Sequence, residues 1–259
     1  MNESIRTVAA VRGWQWMVEG FALFRRSPLN WIAQCLALVA IFWLSTQLGL
    51  LGVLALNLLY PVFLAGLMLG CRSLESSGRM HLTHVFSAFG PSAPALITLG
   101  GLALAAQIAL SFVVIAVGGE DFQQLVVASQ QGLEKAVEMV AAMDSAALAR
   151  AQLATSLSLL LNLPLLMAMW FAPLLVVFQR RPVVRSLLES VVACLKNLLP
   201  FLVYGAALIA LGVIALIPFG LGLFLLVPTV FASIYASYRD LFPAPASLPE
   251  PSPGGARPD

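Results

Sequence analysis

The chain has 259 residues, of which 60% are hydrophobic and 10% are charged. Soluble domains contain about 45–50% apolar and about 25% charged residues, so this composition excludes an ordinary soluble globular fold. The net charge of +2 gives no indication of nucleic-acid binding. Cysteine is scarce and dispersed, which argues against a disulfide framework. We predict three free thiols, at Cys35, Cys71 and Cys194.

The first predicted element is an amphipathic helix within residues 1–27. Its apolar residues recur at helical spacing: Trp14, Met17, Val18, Phe21 and Phe24. Trp16 and Leu23 interrupt the polar side. This pattern is typical of a helix that lies on a bilayer surface. We expect an interfacial anchor, and a lipid-sensing or partner-sensing helix is the alternative.

An uncharged run from Ser27 to Cys71 follows. One helix crosses a hydrocarbon core of about 30 Å with about 20 apolar residues, so the run predicts two spans. They cover about 29–48 and 53–71 and form a hairpin. The second contains Asn57, Pro61 and a GxxxG pair, Gly66 and Gly70, which permits close helix contact.

A second amphipathic stretch, with Leu82, Val85, Phe86 and Phe89 on one face, precedes a third span at about 95–117. The region 118–150 is the only sizeable polar segment. It is acidic, and its pattern predicts one or two helices. We interpret it as a loop on the outer side of the membrane.

The fourth span covers about 153–178 and contains Asn162, Pro164 and Pro173. A third amphipathic stretch begins at Pro182. It leads to the last two spans, which are predicted at about 199–217 and 221–238. Residues 1–242 therefore form a single helical membrane domain. The tail, 243–259, is rich in Pro, Ser and Gly and is predicted to be disordered.

Lysine and arginine predict the orientation. With six spans, both termini and the amphipathic stretches lie on one side, which holds all of these basic residues except Lys135 and Arg150. The positive-inside rule assigns that side to the cytoplasm. We expect an integral membrane protein with cytoplasmic N and C termini.

Two predicted spans share a pattern that indicates an internal repeat. In each, a proline, Pro61 or Pro228, is followed by alanine four residues on, small residues five and nine on, and arginine eleven on. The fourth span keeps a proline, Pro173, and a basic end. The pattern predicts three units, each with an amphipathic stretch, a span and a proline-bearing span. Chance similarity among apolar helices is the alternative.

The predicted spans contain no Asp, Glu, Lys or Arg. This disfavours an ion path or proton relay of charged side chains. We expect Asn57 and Asn162, which each precede a proline, to make hydrogen bonds between helices, and a neutral ligand site is the alternative. The other uncharged polar candidates are Gln34, Gln47, Gln107 and Ser111. The positions predicted for helix packing or a polar site are Asn57, Pro61, Gly66, Gly70, Asn162, Pro173 and Pro228.

Catalysis has no support in the sequence. His81 and His84 could offer two zinc ligands, but no nearby Asp or Glu completes a site. Hydrolase, metalloprotease and nucleotide-binding fingerprints are absent. We expect no catalytic residue, metal, cofactor or nucleic-acid partner.

Basic residues at the span ends are candidate contacts for anionic lipid headgroups. Each charge near an anionic leaflet is worth about 1 kcal/mol. Their role in setting topology would also explain them. The candidates are Arg25, Arg26, Arg180, Arg181 and Arg185.

Three stretches, GWQW at 13–16, GFALFRRSP at 20–28 and GLMLGCR at 66–72, resemble an uncharacterised proteobacterial family of multi-pass inner-membrane proteins. The resemblance implies a helical fold in a bacterial inner membrane and brings no known activity. The pattern of an interfacial helix followed by a hairpin is also similar to membrane domains beside glycerophosphodiester phosphodiesterases. That likeness implies lipid association without the catalytic domain.

We therefore predict an all-α polytopic membrane protein with six transmembrane helices, cytoplasmic interfacial helices and an internal repeat. The expected role is structural or accessory, in association with lipid, with a membrane protein partner or with further copies of the chain. The first alternative is a transporter or channel-like protein with a neutral site between proline-kinked helices. The second is an intramembrane enzyme.

Overall fold

Long apolar helices account for most of the residues, 5–243, that the computed structural model describes. No strand occurs in this range. The predicted disordered tail lies outside the described residues, apart from Pro243. The helices are α1 (Arg12–Arg26), α2 (Pro28–Gln47), α3 (Gly49–Ser77), a short 3-10 helix (Leu82–Phe86), α4 (Ala93–Gln131), α5 (Leu133–Ala142), α6 (Ser145–Gln179), α7 (Val183–Lys196), α8 (Leu198–Leu216) and α9 (Leu223–Leu241). Five of them, α2, α3, α4, α6 and α8, are long and apolar enough to cross a membrane.

The first hairpin turns more tightly than predicted, because α3 starts directly at Gly49. This glycine has φ 61°, in the left-handed region that favours glycine. At its other end α3 continues past Cys71 to Ser77. Gly78 stops it in the left-handed conformation, and its N–H donates to the Leu74 carbonyl at 3.1 Å.

The predicted polar segment, 118–150, is largely helical. α4 continues through a kink at Gly119 (φ 66°, ψ −162°), α5 follows, and α6 begins at Ser145. Asp144 caps α6 because its Oδ1 accepts the Ala147 N–H at 2.6 Å. An ion pair of 2.7 Å between Arg150 and Asp121 joins α6 to the C-terminal part of α4.

The second amphipathic stretch is not an α-helix, in contrast to the prediction. It forms only the short 3-10 helix, which packs closely on α3. A Cβ at Gly66 would lie 2.4 Å from the Val85 carbonyl oxygen, and one at Gly70 would lie 2.9 Å from the Met80 side chain. The GxxxG pair therefore admits this short segment and not a second long helix, which corrects the expected helix contact.

α1 packs against α8 and α9, a contact that the sequence did not predict. Trp14, Val18 and Phe21, on the predicted apolar face, are exposed. A Cβ at Gly13 would lie 2.0 Å from the Pro200 carbonyl oxygen, so the two backbones touch. Trp16 and Leu23, the residues that interrupted the polar side, are buried. α1 thus has a second apolar face, which contacts protein.

The main core lies toward the basic ends of the long helices. There the C-terminal halves of α3, α6 and α9 meet α1 and α7. The opposite halves expose large apolar side chains, as helices in hydrocarbon do. Examples are Phe42, Trp43, Phe112 and Leu159.

The residues just before and at the start of α1 contact the end of α9. The Arg6 N–H donates to the Leu241 carbonyl at 3.0 Å, and Arg12 pairs with Asp240 at 2.6 Å. The residues before α1 and the end of α9 therefore lie beside each other in the fold.

Candidate functional site

A cleft of about 490 Å³ lies between α3, α4 and α6. Small-molecule sites in proteins typically measure about 300–1,000 Å³, so the cleft has the size of a ligand site. Among the described residues Tyr60 supplies the only ionisable group in its lining. The lining residues are Asn57, Tyr60, Pro61, Ala103, Leu104, Gln107, Leu159, Asn162, Leu163, Leu165, Leu166 and Met169.

Three amide side chains line this cleft from three helices: Asn57 on α3, Gln107 on α4 and Asn162 on α6. The Asn57 Nδ2 donates to the Val53 carbonyl and the Asn162 Nδ2 to the Ser158 carbonyl, each at 2.8 Å. Both bonds stay within one helix, so the expected hydrogen bonds between helices do not form. The amide oxygens accept no hydrogen bond from the described residues, and this leaves them available to a ligand.

Backbone acceptors also border the cleft. A proline lacks the N–H that would bond the carbonyl four residues earlier. For Pro61 that carbonyl belongs to Asn57, and for Pro173 it belongs to Met169, and both of these residues line the cleft. A carbonyl freed in this way needs another partner inside a bilayer. The cleft therefore gathers amides and backbone carbonyls in an apolar wall.

A backbone contact between α3 and α4 sets the width of the cleft. A Cβ at Gly100 would lie 2.1 Å from the Leu58 carbonyl oxygen, so this approach requires glycine. Leu58 directly follows Asn57, and Gln107 lies two helical turns after Gly100. This helix crossing thus fixes the position of Asn57 on α3 relative to Gln107 on α4.

Several positions predicted for packing or a polar site lie outside the cleft. Gly66 and Gly70 contact the segment around the 3-10 helix, as described above. Pro173 is buried in α6, and Pro228 is buried in α9. The structure brings only Asn57, Pro61 and Asn162 of this predicted set together.

Two of the arginines predicted for headgroup contact have a protein partner. The Nε atoms of Arg185 and Arg181 lie 2.7 and 3.6 Å from the carboxylate of Glu189, which is buried. A buried carboxylate requires such compensation. Within the described residues, three of the five have no carboxylate within 4.0 Å: Arg25, Arg26 and Arg180.

The two histidines secure the backbone of their own segment. The His81 N–H donates to His84 Nδ1 at 2.9 Å, and the His81 carbonyl accepts from Gln34 Nε2 at 2.9 Å. Their rings stack with centres 5.9 Å apart. In the described range, no group of three or more His, Cys, Asp and Glu side chains is arranged to hold a metal ion.

Sequence reasoning missed an ion network that joins α1, α3 and α9. Arg239 lies 3.2 Å from Glu19 and also pairs with Glu75, while Arg12 pairs with Glu19 at 2.9 Å and with Asp240. Burial disfavours the charged form of Arg12, but the hydrogen bond to Asp240 and the Glu19 charge raise its pKa above the ordinary value. The sequence feature that could have indicated this network is that most of these charged residues lie close to the ends of predicted spans.

A comparison with known proteins finds a probable inner membrane protein of Burkholderia thailandensis. It is 29% identical over 282 aligned residues, which cover 95% of this chain and 97% of that protein. No protein family matches the chain, and no solved structure does. The likeness extends along nearly the whole chain. Together with the five apolar helices, it supports a multi-pass protein of the inner membrane.

Proposed function

We propose that this chain is a membrane protein without catalytic activity of its own, with a structural or accessory role in which it holds an uncharged amphiphile in the α3–α4–α6 cleft. The observation that carries the proposal is the convergence of Asn57, Gln107 and Asn162 in one cleft. Polar groups in an apolar environment are costly unless they are bonded. A ligand with hydroxyl, ester or amide groups would satisfy them.

The lining of the cleft favours one class of ligand. Its walls are aliphatic, and its polar groups are neutral amides and backbone carbonyls. A charged molecule would lose its hydration there and gain no opposite charge in return. A neutral lipid, or the acyl and glycerol portion of a phospholipid, has both the apolar body and the uncharged polar groups that the lining requires.

We further propose six crossings, with α9 as the sixth and both termini in the cytoplasm. The hydrogen bond between Arg6 and Leu241 supports this count, because residues that contact each other on one side of a membrane are joined by an even number of crossings. α9 has 19 residues, like α8, and its C-terminal half is less apolar because it carries hydroxyl side chains and the Arg239–Asp240 pair. The concentration of lysine and arginine on the terminal side supports the orientation.

The packing also supports the proposed internal repeat. The 3-10 helix packs on α2 and α3, α7 packs on α6 and α4, and α1 packs on α9 and α8. The 3-10 helix of the second unit and α7 of the third unit therefore each contact the helical hairpin of the preceding unit. In the same way, α1 of the first unit contacts the hairpin of the third unit, so the three units form a ring. Gly66 and Ser233 are equivalent in the proline pattern. Gly66 faces Val85, and Ser233 faces Gly20.

Co-purification tests the amphiphile site. Native mass spectrometry of the purified full chain should show a bound neutral lipid or phospholipid, and Asn57→Leu combined with Asn162→Leu should remove it. Gln47→Leu is the matched control, since Gln47 is an exposed amide at the end of α2 that bonds only its own helix and its neighbour. An unoccupied native protein, or retention by the double variant, would contradict the proposal.

A transporter is the second candidate, because a proline of α3 lines the same cleft and α6 carries two prolines. Broken helices around a neutral site are typical of secondary transporters. Liposomes containing the protein would then move an uncharged solute. The Asn57→Leu and Asn162→Leu variant would lose that flux, whereas Gln47→Leu would keep it. A protein that only holds a lipid would show no flux in either form.

A further inference from the structure

A second, smaller cavity of about 250 Å³ lies at the basic ends of α3, α6 and α9. Arg72 borders it from α3, Phe178 and Gln179 from α6, and Tyr238 and Arg239 from α9. It shares no residue with the amide-lined cleft. We call it the basic-end pocket. Because α6 ends at Gln179, α9 ends at Leu241 and the uncharged run of α3 ends before Arg72, the pocket lies at the depth where the chain leaves the hydrocarbon.

The two arginines of the pocket differ in their partners. Arg239 is engaged by Glu19 and Glu75. Arg72 has no carboxylate within 4.0 Å in the part of the chain that the structure describes. Its guanidinium carbon lies 5.5 Å from the centre of the Phe178 ring. A cation–π contact uses no N–H donor of the guanidinium, so these donors stay available for an acceptor.

The carboxylate closest to Arg72 in sequence, Glu75, is already compensated. It pairs with Arg239 and accepts the Tyr235 hydroxyl at 2.9 Å. The positive charge of Arg72 therefore stays available in a pocket with aromatic walls. A guanidinium presents parallel N–H donors that match two oxygens of a phosphate. The small volume suits such a group better than it suits a whole lipid.

We propose that the basic-end pocket binds a phosphate-bearing anion and that Arg72 makes the principal contact. Phospholipid phosphates lie at the ends of membrane spans, so the anion can belong to a lipid headgroup, and a free phosphate has the same chemistry. This proposal is independent of the amphiphile proposed for the cleft, which lies between other surfaces of α3 and α6.

The test uses the purified full chain with two probes. Inorganic phosphate is titrated by calorimetry in an uncharged detergent, and retention of phosphatidylglycerol against phosphatidylcholine is measured by native mass spectrometry after release from nanodiscs. Arg72→Gln should weaken binding of the effective probe by about tenfold or more. Arg79→Gln is the matched control, because Arg79 is an exposed arginine outside the pocket.

Selective retention of phosphatidylglycerol supports a headgroup as the ligand, and saturable binding of inorganic phosphate supports a free anion. The proposal is overturned if neither occurs, or if Arg72→Gln and Arg79→Gln behave alike. Arg72→Lys keeps the positive charge, so it should retain part of the binding. It replaces Arg72→Gln in the binding measurement if Arg72→Gln does not fold. Occupancy of the amide-lined cleft should be unchanged in all three variants, which separates this result from the test of the cleft.

Discussion

Ser190 on α7 donates a hydrogen bond of 2.5 Å to the backbone carbonyl oxygen of Met167 on α6. The same hydroxyl accepts the backbone N–H of Phe171 at 3.0 Å. These two backbone groups are four residues apart and would bond each other in a regular α-helix. A side chain of α7 thus enters the hydrogen-bond ladder of α6 in the turn before Pro173.

Ser190→Ala should lower the free energy of unfolding by about 1–3 kcal/mol, because it leaves buried backbone groups without this partner. Thermal unfolding in detergent measures the change. Ser186→Ala is the control, since Ser186 is equally buried on α7 but its hydroxyl lies 3.5 Å from its acceptor, the Arg181 carbonyl. Equal losses in the two variants would show that the bridge contributes nothing beyond burial.

Gly20→Ala should separate α1 from α9. The added Cβ would lie 2.6 Å from the Thr229 carbonyl oxygen and 2.7 Å from the Ser233 nitrogen, and neither backbone atom can move cheaply. We expect a loss of about 1–3 kcal/mol in unfolding free energy. Gly205→Ala on α8 is the control: a Cβ there meets nothing within 4 Å, so helix propensity should keep or raise the stability. Comparable losses in both would contradict this packing.

Six crossings predict that the turn between α8 and α9 faces outward. Phe219 is fully exposed at this turn. In intact spheroplasts, a membrane-impermeant maleimide should label Phe219→Cys and Lys135→Cys. Ser77→Cys should react only after permeabilisation. Labelling of Lys135→Cys without Phe219→Cys would instead indicate that the last hairpin enters the bilayer without crossing it.

Asp240→Ala should destabilise the protein by about 1–3 kcal/mol, because Asp240 accepts from Arg12 at 2.6 Å and from the Trp16 indole at 2.9 Å. Asp121→Ala is the matched control, since its pair with Arg150 is exposed and should leave the unfolding temperature unchanged. Differential scanning measurements in one detergent compare the two. A larger loss of stability in Asp121→Ala than in Asp240→Ala would contradict the expectation that the more buried ion pair contributes more.

The fold was predictable where charge and hydropathy act over many residues. The uncharged run from Ser27 to Cys71 predicted the α2–α3 hairpin, because only a bilayer accommodates it. The pattern of apolar residues did not predict the packing of α1 on other helices. Trp16 and Leu23 departed from a one-sided pattern because both are buried. The Trp16 ring centre lies 5.3 Å from that of Phe201 on α8, and its indole N–H donates to Asp240 on α9. Tertiary packing, and not the membrane surface, determined that face.

The candidate site was predictable in part. Asn57 and Asn162 stood out as polar residues before prolines, but nothing in their spacing placed them with Gln107 in one cleft. Their convergence depends on how each helix is rotated about its axis, which contacts such as Gly100 against Leu58 determine. The contact of Ser190 with α6 was not predictable either, because nothing in the sequence distinguishes this serine from other serines on amphipathic helices.

The packing of α1 against the last hairpin has a consequence for biosynthesis. α1 precedes its main partners, α8 and α9, by more than 170 residues in the sequence, so it is translated well before them. Until then Trp16 lacks the Phe201 ring on α8 and the Asp240 carboxylate on α9. Nascent chains that stop before the final helix would carry an unassembled N-terminus, which membrane-bound quality-control proteases could recognise.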